Sequence, residues 1–240
     1  MAEREPRYLK HVPVDPGGIV PANVLPVPLP YGLTPRDFFR TVEDVHDLLH
    51  DLNGLLHQRH YLRLEELLDS AGFSGLLSRT VANRLSHSSR ILVVNRFHNG
   101  YPDLIQRGHY KYDAVQHGEG GLEIKASRHE TNWQTHGPRA GWFGMAQFSI
   151  DERADIPLID LEPTRVVAML VAEVSMDDWS WQPAAPGKIR SGTATIRSSG
   201  IAKLRAGVVW VDPSYRDRNK FLAERAKKFA ARPRQRKLPV

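Results

Sequence analysis

Between Asp37 and Arg59 the apolar residues Phe38, Phe39, Val42, Val45, Leu48, Leu49, Leu52, Leu55 and Leu56 return every three or four positions. That spacing paints one face of an amphipathic helix. Thr34-Pro35 supplies its start, an N-cap residue followed by proline at the first helical position. A second helix is predicted over Leu62 to Asp69, and a third from about Ser74 to Leu85, closed by Ser86-His87-Ser88-Ser89. After Arg90 the period changes. Ile91 to Val94 is a short β-branched run that reads as a strand. Asn99-Gly100 makes a turn, and a second strand starts at Asp103-Leu104-Ile105, with Lys111 to Val115 extending the hairpin. Leu122 to Ala126, Trp142 to Ile150, the strongly apolar Arg165 to Val174, Thr193 to Ile196 and Gly207 to Val211 are further predicted strands. A helix at about Asn219 to Ala231 closes the chain.

Helices followed by strands and a closing helix predict an α/β (α+β) fold, a mixed central sheet flanked by helices with an N-terminal helical part. The segment before Pro35 carries Pro13, Pro16, Pro21, Pro26, Pro28 and Pro30. Proline removes a backbone donor and fixes φ, so residues 1–35 are expected as an extended arm over the body or toward a partner subunit. Residues 36–215 then form the main domain, with a helical lead-in at 36–89 and a strand-rich core at 90–175. Residues 216–240 form a basic helix and tail.

Composition narrows the chemistry. The 240 residues contain no cysteine, which removes disulfides, thiolate catalysis, cysteine-ligated zinc and iron–sulfur clusters. No window is apolar for the roughly 20 residues that a bilayer span needs, and Met1 to Lys10 lacks the apolar run of a signal peptide. The expectation is a cytoplasmic protein with no membrane partner. Net charge is +6 and the pI about 9.6. From Arg216 onward there are ten basic residues and two acidic ones, so the tail carries the basic character and the body is close to neutral. A basic tail suits sequence-blind phosphate contacts.

The candidate chemistry lies in Pro102-Asp103 and Glu123-Ile124-Lys125. Residues two apart on a strand share a face. Glu123 and Lys125 therefore project together, away from Leu122, Ile124 and Ala126. A carboxylate and an ammonium on an otherwise apolar strand are costly unless they serve a site. Asp103, at the head of a neighbouring strand, adds a second carboxylate at the same sheet edge. Two carboxylates suit Mg²⁺, a hard cation that prefers oxygen ligands and keeps several waters. A lysine beside them can orient an attacking water.

This pattern resembles the PD-(D/E)xK nuclease superfamily, which includes many type II restriction endonucleases. The proline–aspartate pair occurs once in the chain, and Glu123-Ile124-Lys125 is its one acidic-x-lysine triplet. The resemblance covers roughly residues 62–174. It implies a mixed sheet flanked by helices, Mg²⁺-dependent phosphodiester hydrolysis in double-stranded DNA, and frequent homodimers. Asp103, Glu123 and Lys125 would be catalytic, with Asp103 and Glu123 on the metal. Many members add an acidic residue from the preceding helix, for which Glu65 and Glu66 are candidates and Glu66 is preferred. The RecB-like branch is not matched, because Gln147 falls in a predicted strand rather than a helix.

The loop after the lysine strand mixes base-reading side chains with an aromatic: Arg128, Asn132, Trp133, Gln134, His136 and Arg139. Arginine can be bidentate to guanine, and asparagine or glutamine to adenine. Arg197, in the hydroxyl-rich stretch Ser191 to Lys203, is a candidate phosphate contact. The histidines between His98 and His136 lack the paired spacing of a zinc site. The expected function is thus a sequence-specific type II restriction endonuclease. The alternatives are a nuclease subunit of a repair or phage-defence complex, and a non-catalytic DNA-binding module derived from a nuclease.

Overall fold

The structure is a computed structural model and describes residues 4–183 and 192–215. The first long helix, α1, runs Pro35–Gln58. Its start is the one the sequence marks: Asp37 Oδ2 accepts from the Thr34 backbone N–H and from the Thr34 hydroxyl, both at 2.8 Å. A short α2 follows at Leu64–Leu67, then α3 at Ser70–Ser88. Helix α3 starts earlier than its apolar spacing suggests because Asp69 caps it, accepting from the Gly72 N–H at 2.6 Å.

The strands are β1 Leu92–Val94, β2 Leu104–Gln106, β3 Leu122–Ser127, β4 Gln134–Thr135, β5 Gly141–Ser149, β6 Arg165–Val174, β7 Trp179–Gln182, β8 Thr193–Ile196 and β9 Val208–Val211, with α4 at Ser198–Ala206 before the last. They form a six-stranded sheet in the order β1-β2-β3-β5-β6-β9 and a three-stranded sheet in the order β4-β8-β7. The large sheet is mixed, since β3 and β5 run parallel while the other pairs are antiparallel. The protein is therefore α+β.

Helices α1 and α3 pack on one face of the large sheet, where Phe73 meets Phe148 edge-on at 5.5 Å between ring centroids. The small sheet and α4 cover the other face, where Phe143 packs against Trp179. Strand β6 lies between β5 and β9, and Val166 to Ala172 are all buried. That accounts for its unbroken apolar run, since strands buried on both faces lose the alternation of a half-exposed strand.

Two local expectations are corrected. Lys111 to Val115 does not extend a hairpin. Lys111–Asp113 forms a 3-10 turn in which Tyr112 and Asp113 take positive φ, and the Asp113 carboxylate accepts from the Gly108 N–H at 2.6 Å. Helix α4 lies in a stretch read only as hydroxyl-rich. Its Lys203 reaches back to the buried Asp178, which also accepts from the Ser175 N–H at 2.8 Å. Burial alone would raise the Asp178 pKa, but Lys203 and the hydrogen-bond donors around the carboxylate outweigh it and hold it at about 2. The predicted helix at Asn219 to Ala231 and the basic tail lie outside the described residues.

The proline-rich segment runs as short 3-10 turns that place Val20, Leu25 and Leu33 in the main core. His46 of α1 ties this segment to the sheet. Its ring contacts the Val12 carbonyl through Nδ1 at 3.0 Å and accepts from the Val166 N–H through Nε2 at 2.9 Å. Both nitrogens are satisfied only in the neutral ring with the proton on Nδ1, and burial pushes the pKa down. The unfolded chain protonates this histidine near pH 6.5 while the folded one does not. Stability supplied by this residue is thus intact above that pH and falls as pH drops below it. Urea midpoints measured between pH 8 and pH 5 are expected to fall less steeply in His46→Gln than in the parent.

Candidate metal and phosphate site

Asp103 sits one residue before β2, and Glu123 and Lys125 sit on β3, which is the strand next to it. The register sets Glu123 beside Phe143 and Lys125 beside Met145 of β5, so both project from the face that carries the small sheet. Backbone bonds lock the two carboxylates together. The Asp103 N–H donates to Glu123 Oε2 at 3.2 Å, and the Ile124 N–H donates to Asp103 Oδ2 at 2.8 Å. The second Glu123 oxygen accepts from the Lys125 ammonium. Each carboxylate thus takes an orienting bond from the strand that carries the other.

Two glycines permit this approach. Gly121, at φ 104°, would place a Cβ 2.2 Å from the Leu104 carbonyl oxygen and 2.6 Å from Pro102 Cγ. Gly100 would place one 2.5 Å from Asn95 Nδ2. Asn95 in turn donates to the carbonyls of Pro102 (3.0 Å) and Val115 (2.8 Å), fixing the chain just before Asp103.

The electrostatics are lopsided. Glu123 is 7% exposed and Asp103 is partly buried. Burial, and then the Glu123 charge, push the Asp103 pKa up to about 7 against the pull of Lys125 and the Ile124 N–H. Burial would lower the Lys125 pKa, but Glu123 and Asp103 outweigh it and raise it. Two carboxylates share one ammonium here, and a second cation would relieve the excess negative charge. The oxygen donors fit Mg²⁺, which needs one or two carboxylates and fills its remaining positions with water or phosphate. Among the described residues no group of three or more histidine, aspartate or glutamate side chains is placed to hold a metal.

The pair lies in a cleft of about 580 Å³. One wall is α3, with Ser74, Gly75, Ser78 and Arg79. The other is β4 and the loop after it, with Gln134, Thr135, His136 and Arg139. Clefts of about 690 and 880 Å³ occur elsewhere, but neither contains this pairing of carboxylates with lysine. Volume therefore does not decide between them.

Comparison of the chain with models of known families, with curated proteins and with solved structures finds no match.

The structure distributes the sequence candidates unevenly. Asp103, Glu123 and Lys125 come together, and Gln134, His136 and Arg139 line the same cleft. Glu66 is not brought to them. Its carboxylate accepts from Arg63 Nε at 2.9 Å, and Arg63, 1% exposed, also donates to the Asp151 carbonyl. A buried guanidinium needs a counter-charge, and Glu66 supplies it. Glu65 accepts from Asn53 at 3.1 Å. Trp133 is corrected as well. It is 5% exposed, its indole N–H donates to the His129 carbonyl at 2.6 Å, and it anchors the loop from inside. Arg128 pairs with Glu152 beside another cleft. Asn132 is exposed in a positive-φ turn. Arg197 precedes α4, donates to the Asp177 carbonyl at 3.3 Å, and does not line the cleft.

Sequence reasoning passed over Tyr101. Its ring lies under the Arg139 guanidinium, 3.9 Å from centroid to Cζ, and its hydroxyl donates to the Ala140 carbonyl at 3.2 Å. Burial and the nearby Glu123 push its pKa up to about 12, so it stays a neutral phenol. Its place directly before the Pro102-Asp103 pair was the one available signal.

Proposed function

We propose that this protein is a Mg²⁺-dependent endonuclease that hydrolyses phosphodiester bonds in double-stranded DNA, in the manner of the PD-(D/E)xK nucleases. The observation that carries the reading is the interlocked Asp103–Glu123 pair with Lys125 on the same face, opening into a cleft. Asp103 and Glu123 would hold the metal, which when bound neutralises phosphate charge and makes a coordinated water more acidic. Lys125, held by Glu123, orients the attacking water. Gln134 and His136 stand on the wall where a base edge or a sugar would pass. The small and hydroxyl-bearing side chains of α3 leave room for a strand on the opposite wall.

Sequence specificity and homodimerisation of the restriction-enzyme type belong to the same proposal. A two-fold dimer would set two clefts across a symmetric target. No described helix is long and apolar enough to cross a membrane.

A nuclease subunit of a larger assembly is a second reading. Leu55, Tyr61, Leu62 and Leu67 are all more than 45% exposed near the end of α1 and at α2, and exposed apolar residues grouped in this way mark interaction surfaces.

The test is incubation of the full chain with mixed-sequence plasmid and genomic DNA in Mg²⁺ and in EDTA. Discrete fragments in Mg²⁺ alone are expected. A smear in Mg²⁺ would keep the nuclease and remove the sequence specificity. Intact DNA under both conditions would remove the self-sufficient endonuclease.

A further inference from the structure

Resting on the nuclease reading above, we propose that Arg139 is a catalytic residue of this site, a phosphate clamp presented by the Tyr101 ring rather than a reader of bases. Arg139 is partly buried, and among the described residues its guanidinium has no carboxylate within 4.0 Å and no hydrogen bond of its own. It lies over the Tyr101 ring. The same guanidinium bears electrostatically on Lys125. With no acceptor taken up by its edge N–H groups, this guanidinium is available to an anion that enters the cleft.

The surroundings fix the backbone at Arg139 and the ring beneath its guanidinium. The Arg139 carbonyl accepts from the Trp179 indole N–H at 2.7 Å, and the next carbonyl accepts from the Tyr101 hydroxyl. Tyr101 is itself pinned, its N–H donating to the Gln116 carbonyl at 3.0 Å and its carbonyl accepting from the Gly118 N–H at 2.7 Å. The Tyr101 ring covers the guanidinium without occupying its N–H groups, and that planar fork matches two oxygens of one phosphate. A base-reading arginine needs reach into a groove. This one lies over the Tyr101 ring on the wall of the cleft that holds Asp103, Glu123 and Lys125.

During hydrolysis the attacking water oxygen bonds to phosphorus and gives up one proton, the P–O bond to the leaving sugar oxygen breaks, and that oxygen takes up one proton in turn. Arg139 donates to the two non-bridging oxygens throughout and exchanges no proton. Tyr101 is a positioning residue, since it acts through Arg139.

The test uses the full-length protein and two readouts. The first is single-turnover cleavage of duplex DNA at saturating protein in Mg²⁺. Arg139→Ala is expected to lose roughly 10²-fold in rate, the effect of one transition-state donor, with DNA affinity in Ca²⁺ nearly unchanged. Arg139→Lys recovers only a small part of it. Tyr101→Leu, which removes the ring under the guanidinium, is expected to follow Arg139→Ala. The second readout is calorimetric binding of thymidine bisphosphate in Ca²⁺, which needs no turnover. Arg139→Ala is expected to weaken it by about tenfold, the loss of one charge-assisted contact. Unchanged bisphosphate affinity overturns the clamp, as does a rate loss that vanishes at saturating protein. Bisphosphate binding that depends on Arg139, in a protein that cleaves no DNA, leaves the clamp standing and removes the nuclease reading.

Discussion

Replacing Lys125 with alanine is expected to lower the single-turnover rate of DNA cleavage by roughly 10³-fold, within the range for loss of a positioned proton-transfer or water-orienting group. The geometry behind the figure is specific. The Lys125 ammonium gives one of its three N–H donors to Glu123 and feels the charge of Asp103 as well, and the Glu123 and Lys125 side chains leave β3 on the same face. Removing it leaves Asp103 and Glu123 in place, because backbone N–H groups orient each carboxylate. DNA affinity in Ca²⁺ should therefore change little, since a single phosphate contact is a small part of a polyelectrolyte interface. Lys125→Arg should not restore the rate, because a broad planar guanidinium does not replace a compact ammonium beside a bound water. The check is a pre-steady-state time course with binding measured separately. A variant that cleaves within a few-fold of the parent would remove Lys125 from the chemistry.

The second large effect concerns stability and site geometry together. Gly121→Ala is expected to destabilise the protein by about 3 kcal/mol, combining left-handed backbone strain with overpacking. The added Cβ would fall 2.2 Å from a backbone oxygen of β2 and 2.6 Å from Pro102. Neither neighbour is the free end of a flexible side chain, so β2 or the Pro102–Asp103 segment must shift. Urea denaturation reads the loss, and cleavage measured well below the midpoint reads the displacement of Asp103. A midpoint equal to that of the parent would show that this turn is looser than its contacts require.

The part of the site that was legible in the sequence lay in strands. Period-two alternation alone put Glu123 and Lys125 on one face, and the structure places them there. Asp103 was legible because a turn and a short apolar run bracket it. What the sequence did not show depended on contacts between distant segments. Glu66 looked available until Arg63 was found buried beside it, a contact set by the end of β5 through Asp151. Trp133 was grouped with the DNA-contacting candidates of its loop because nothing local reveals that it is buried where Ile196 donates to its carbonyl. The Tyr101–Arg139 stack joins residues 38 apart in a chain where neither carries a motif. In the helices, α1 was readable from its apolar stripe. The start of α3 was not, because the Asp69 cap precedes a glycine-containing first turn that does not read as helix.

We propose that Asp103, Glu123 and Lys125 form a metal-dependent phosphodiesterase site. It is tested most directly by the conversion of supercoiled plasmid under four conditions, the parent protein and Glu123→Gln, each in Mg²⁺ and in EDTA. Glu123→Gln keeps the size of the side chain and an acceptor for the Asp103 N–H while removing the charge that serves both the metal and Lys125. Cleavage by the parent in Mg²⁺ and intact supercoiled DNA in the other three are expected. Cleavage by Glu123→Gln at the parent rate, or by the parent in EDTA, would contradict the proposal.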